Sequence, residues 1–126
     1  MSVVGLGWCK AASAPETAAF VRQLLHRSEA TPLACLAVPH FRQGEELPEK
    51  VAALLGVPLI WVTEDALQAA QASCQTFSEK SLQETGFAAV AEGCALAVVG
   101  PGARLLMPKQ VHEGITCAVA EGEGTR

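Results

Sequence analysis

The chain has 126 residues, half of them hydrophobic, 17% charged and 5% aromatic, with no tyrosine. That length leaves room for one domain rather than two independent cores, and the hydrophobic share excludes a disordered chain. A net charge of −4 excludes the basic face that nucleic acid requires and gives no support for binding an anionic membrane surface.

No apolar run nears the roughly 18–20 residues needed to span a bilayer. The start, Met1-Ser2-Val3-Val4-Gly5, has neither a basic region nor a long apolar one, so it reads as a first strand rather than a signal peptide. Residues 2–6 form that expected strand, with Gly5-Leu6-Gly7 as the turn that follows it. Ser13-Ala14-Pro15-Glu16 matches a capping box, with Ser as N-cap, Pro in the first turn and Glu at the third helical position. Ala18, Val21, Leu24 and Leu25 then recur at helical spacing, which predicts a helix over 14–28.

The apolar run 33–38, bounded by Pro32 and Pro39, is too short for a core helix and predicts a buried parallel strand. A polar loop follows over 40–45. Leu47, Val51, Leu54 and Leu55 mark a short helix stopped by Gly56. A third strand is predicted over 57–62, and Thr63 can cap a helix carrying Leu67 and Ala70. Residues 73–84 are polar and read as a loop with at most a helical turn. Helical spacing returns at Phe87, Val90, Ala91, Cys94 and Ala97 and ends at Gly100-Pro101-Gly102. Two strands, 104–107 and 115–120, joined by seven residues, are expected to pair antiparallel. The prediction is an α/β fold, a three-layer helix/sheet/helix sandwich on a mixed sheet of about five strands. Residues 1–120 form the domain and 121–126 a flexible tail.

Five cysteines are present, Cys9, Cys35, Cys74, Cys94 and Cys117, with no C-x-x-C spacing. An odd count in apolar surroundings fits reduced thiols of a cytoplasmic protein, neither a disulfide framework nor a zinc knuckle. His26, His40 and His112 are scattered, so no metal site is expected. The third glycine of a dinucleotide fingerprint would fall at Lys10, and no acid follows the second strand, so no nicotinamide cofactor is expected, nor any other.

Four segments stand in order along the chain: Gly5-Leu6-Gly7 followed by Lys10; Ser78-Glu79 leading to Thr85-Gly86; the helix Phe87-Ala88-Ala89-Val90-Ala91-Glu92-Gly93-Cys94-Ala95-Leu96; and Pro108-Lys109 followed by Gly114-Ile115-Thr116-Cys117-Ala118-Val119-Ala120. Taken together they resemble the CobE and CbiG C-terminal domain family of cobalamin (vitamin B12) biosynthesis. The resemblance covers roughly 3–120. Two segments depart from the family's pattern. Arg42 and Glu45 stand where a lysine and an acid are usual, and Gly93 stands where alanine is usual. A mid-helix glycine costs up to about 1 kcal/mol unless a close contact needs it.

The resemblance implies a protein that binds or carries a corrin or precorrin intermediate of the aerobic pathway. It also leaves open an enzyme or enzyme subunit that opens a precorrin lactone with release of acetaldehyde, and a subunit docking on other pathway enzymes. The candidate ligand-binding residues are Gly5, Gly7, Lys10, Ser78, Thr85, Gly86, Glu92, Lys109 and Thr116. Gly5 and Gly7 read either as a turn or as a backbone rim at the carboxyl end of the first strand, where open α/β sheets bind ligands. Among the basic residues Lys10, Arg42, Arg104, Lys109 and His112, each is either an ordinary solvated side chain or a donor to corrinoid carboxylates. Thr85 reads as the N-cap of the alanine-rich helix, with Ser78 and Gly86 beside it. Glu92 is either a buried hydrogen-bonding partner or a polar site residue. Thr116 alternates with apolar neighbours. No nucleophile–base pair is evident in the sequence.

Overall fold

A computed structural model describes residues 2–9, 11–28, 32–100 and 102–122. The elements run β1 (Ser2–Trp8), α1 (Ala14–Ser28), β2 (Leu33–Pro39), α2 (Leu47–Leu55), β3 (Leu59–Val62), α3 (Glu64–Ala70), α4 (Glu79–Thr85), α5 (Val90–Val99), β4 (Arg104–His112) and β5 (Ile115–Glu121). Five strands form one sheet in the order β3-β2-β1-β5-β4. The β1–β2 and β2–β3 pairs are parallel; β1–β5 and β4–β5 are antiparallel.

The period-2 alternation of β1 explains the three layers. Val4, Leu6 and Trp8 point to one face, where Ala18, Val21 and Leu24 of α1 and Val51 of α2 complete a core. Val3 points to the other face, with Leu67 of α3 and Cys94, Ala95 and Leu96 of α5. Both faces are covered, which is why β2 reads as an unbroken apolar run.

The local signals behave as their chemistry requires. Ser13 Oγ accepts the Glu16 N–H at 3.3 Å and Thr63 Oγ1 accepts that of Ala66 at 3.2 Å. Gly56 ends α2 in the left-handed region at φ 72°.

Several boundaries differ from expectation. β1 runs on to Trp8, so Gly5 and Gly7 lie inside a strand and form no turn. The segment read as a polar loop contains α4, capped by Ser78 Oγ, which accepts the Ser81 N–H at 3.2 Å. β3 begins at Leu59 and α5 at Val90, each later than the sequence pattern suggests. β4 and β5 are longer than expected and are joined by Glu113-Gly114 (φ 46° and 84°), a two-residue turn in place of seven linking residues. Glu121 belongs to β5 rather than to a tail; residues 123–126 of that expected tail lie outside the described residues. Among the described residues no single helix is long and apolar enough to cross a membrane.

Candidate functional site

Two glycines determine how α5 lies on the sheet. A Cβ on Gly5 would overlap the Ala91 carbonyl oxygen, so only glycine lets α5 approach β1 this closely. Gly93 answers the same need on the opposite side of α5, because a Cβ there would sit 2.6 Å from both Leu67 Cδ1 and Gln71 Nε2 of the segment around α3. Its helix-propensity cost is offset by that contact.

Past Gly5, the start of α5 rises over Gly7 and leaves a cavity of about 320 Å³ at the carboxyl end of β1. The sheet switches here from its parallel half to its antiparallel half, a position favoured for ligand sites. Gly7 and its β5 partner Thr116 line the cavity on the sheet side. Ala88, Ala89, Val90 and Ala91 line it at the start of α5, where no side chain caps the helix. Ser78, Lys80, Ser81, Glu84 and Thr85 contribute from α4 and its cap, and Lys109 contributes from β4. Trp8, Cys9, Phe41 and Arg42 complete the rim.

Charge is concentrated at this cavity. Among the described residues, Arg42, Lys80 and Lys109 meet Glu84 as the single lining acid, although the whole chain carries −4. Arg42 is held firmly: its Nε and a terminal nitrogen donate to Glu45 at 2.6 and 3.0 Å, and its guanidinium lies 4.4 Å from the centre of the Trp8 ring. Trp8 Nε1 also donates to Glu45, at 2.8 Å. Among the described residues, neither Lys80 nor Lys109 has an ion-pair partner within 4.0 Å.

Glu92 is 1% exposed and does not line the cavity. Its carboxylate accepts the backbone N–H groups of Gln75, Thr76 and Lys109 at 2.8, 3.0 and 2.8 Å. The β4–β5 register shifts between Met107 and Gln110, around Pro108, which has no N–H to give the ladder. That irregularity turns the Lys109 N–H toward α5. Glu92 therefore positions the strand bearing Lys109 and the loop leading to Ser78 and Lys80.

The candidate residues fall into three groups. Gly7, Ser78, Thr85, Lys109 and Thr116 line the cavity; Gly5, Gly86 and Glu92 do not. Lys10 lies outside the described residues. Thr85 is no N-cap: it ends α4, and its hydroxyl accepts the Phe87 N–H at 3.1 Å while lying 2.8 Å from the Ser81 carbonyl oxygen. Gly86 is the left-handed cap of α4 at φ 86°, and Ala89 precedes α5. Lys109 sits in a strand, where a loop was expected. Arg104 is paired with Glu121 at 3.2 Å, and His112 packs on Phe20 with ring centres 5.2 Å apart; neither lines the cavity. Lys80, Ser81 and Glu84 escaped the sequence reading because α4 is too short and polar to show periodicity. The Ser78 cap three residues before Ser81 was the available signal.

All five cysteines are free. Burial raises the thiol pKa of Cys35 and Cys94, and pushes Cys117 up to about 12. Cys74 rises to about 11, through burial first and the Glu92 charge second. Cys9 is exposed at the cavity rim. Glu16, His112 and Glu113 bring ligand-type atoms within 4.8 Å of one another on the exposed surface, and none of the three lines the cavity.

The family model described as "Cobalamin synthesis G C-terminus" matches residues 2–120. The structure of CobE, a protein from the cobalamin biosynthetic pathway, is similar over 95% of this chain and 89% of that one, with 27% identity and a TM-score of 0.86. Cobalamin biosynthesis protein chiG from Agrobacterium tumefaciens str. C58 is similar over 98% of this chain and all of its own, at 32% identity and a TM-score of 0.79. A cobalamin biosynthesis protein G homolog from Sulfolobus solfataricus shares the fold at 24% identity and a TM-score of 0.70; the match spans 94% of this chain and 36% of that one. A comparison with curated protein sequences finds no significant match.

Proposed function

Since the chain belongs to the cobalamin synthesis G C-terminal family and so to cobalamin biosynthesis, we propose that it binds a corrin or precorrin intermediate in the cavity at the carboxyl end of β1 and carries or shields it between enzymes. The observation that carries this reading is the grouping of Arg42, Lys80 and Lys109 around one cavity of an acidic protein. Corrinoid intermediates bear many carboxylate arms, and charge-assisted hydrogen bonds to ammonium and guanidinium groups are the strong ones. The uncapped N–H groups at the start of α5 add positive potential on the same side. Small alanine side chains and the Phe41 ring give the apolar surface that a macrocycle needs.

The test is an ultraviolet–visible titration with hydrogenobyrinic acid, repeated with Lys80→Ala and Lys109→Ala. A saturable spectral shift that either substitution weakens supports the carrier. The absence of any shift with this and earlier intermediates overturns it. Acetaldehyde measured after incubation with a lactone-bearing intermediate separates a carrier from a lactone-opening enzyme.

A further inference from the structure

We infer that the cavity takes its ligand edge-on, accepting one five-membered ring with its carboxylate arm while the rest of the macrocycle lies outside on the rim. This rests on the reading above and specifies the chemical group that the site recognises.

Size comes first. At about 320 Å³ the cavity stands at the low end of the roughly 300–1,000 Å³ typical of small-ligand sites. A tetrapyrrole carries four such rings joined into a wide disc and cannot enter whole. One ring and its arm can. Space for it depends on residues without bulk: Gly7, where a Cβ would lie 3.6 Å from the Thr116 Cβ, and the alanines at the start of α5.

Charge then fixes which part of the ligand enters. Arg42 is already engaged by Glu45 and stacked on Trp8, so it serves as a fixed wall. Lys80 and Lys109 remain to take a carboxylate. They stand on separate elements, α4 and β4, so an arm held by both is also oriented.

The rim agrees with a disc left outside. Phe41, a lining residue 39% exposed, is backed by Phe87 with parallel rings 6.2 Å apart. An exposed aromatic face beside a charged pocket suits a flat apolar ring system.

Three probes test this on the full chain: hydrogenobyrinic acid, cobinamide (a corrinoid whose side chains are amides) and porphobilinogen (a single pyrrole with two carboxylate arms). The expected result has three parts. Porphobilinogen displaces hydrogenobyrinic acid saturably. Cobinamide binds at least about tenfold more weakly than the acid. Lys80→Ala and Lys109→Ala each weaken the acid and the monopyrrole by similar factors, about tenfold. If hydrogenobyrinic acid binds but porphobilinogen cannot displace it, or cobinamide binds equally well, edge-on capture is overturned and the carrier reading stands. If porphobilinogen binds and no corrinoid does, the carrier reading falls and the single-ring site stands. If nothing binds, both fall.

Discussion

Glu92 on α5 and Lys109 on β4 are joined by a 2.8 Å hydrogen bond in which the buried carboxylate accepts the strand's backbone N–H. The other carboxylate oxygen holds Gln75 and Thr76. One side chain thus ties together the three segments that carry Lys80, Lys109 and the start of α5. Glu92→Ala leaves three N–H donors without their acceptor and is expected to cost about 3–5 kcal/mol. Glu92→Gln keeps one acceptor oxygen but turns an amide donor toward other donors, at a cost of about 1–3 kcal/mol. Urea unfolding midpoints check both, and an alanine variant of near wild-type stability would refute the tie.

The two kinds of glycine separate by substitution. Gly5→Ala drives a methyl group into the Ala91 carbonyl and is expected to lose about 3 kcal/mol or more, at or beyond the usual overpacking cost. Gly56→Ala meets open space and pays only for its left-handed backbone, about 1 kcal/mol. Thermal unfolding of the two variants should preserve that order.

Arg42→Lys removes the planar group stacked on Trp8 and its two-pronged bond to Glu45. Because Arg42 and Glu45 are partly exposed, the expected stability loss is small, about 1 kcal/mol. The sharper readout is optical. In a Trp61→Phe background, Trp8 emission should shift in Arg42→Lys and stay fixed in Arg22→Lys, whose guanidinium binds the Leu54 carbonyl instead.

Thiol reactivity should divide the cysteines. Near pH 8, Ellman's reagent is expected to modify Cys9 promptly and Cys35, Cys74, Cys94 and Cys117 only on unfolding.

The raised thiol pKa values also predict alkaline sensitivity. The fold favours the neutral thiol, so this contribution is fully present below the ordinary value of 9.0. It is lost as pH rises toward about 11 for Cys74 and about 12 for Cys117. The melting temperature should fall above pH 9, with a shallower slope in Cys117→Ala. Equal slopes would show that this thiol does not contribute.

The sequence by itself determined whatever depends on neighbours a few residues away. The Ser13 and Thr63 caps, the Gly56 stop and the apolar run between Pro32 and Pro39 act locally, so the helices and buried strands they mark were legible. The ordered family segments likewise carried membership in cobalamin biosynthesis. Only the tertiary structure decided what depends on close approach between distant segments. Gly5 and Gly7 read equally well as a turn until α5 is seen lying on β1. Glu92 could be a site residue or a partner until three N–H groups from two other segments meet its carboxylate. Lys80 on a short polar helix and Lys109 beside a proline-broken ladder share one cavity because sheet order, not chain order, brings α4 and β4 to the same end of β1. No periodicity in the sequence encodes that meeting, since it is set by packing across the sheet rather than along the chain.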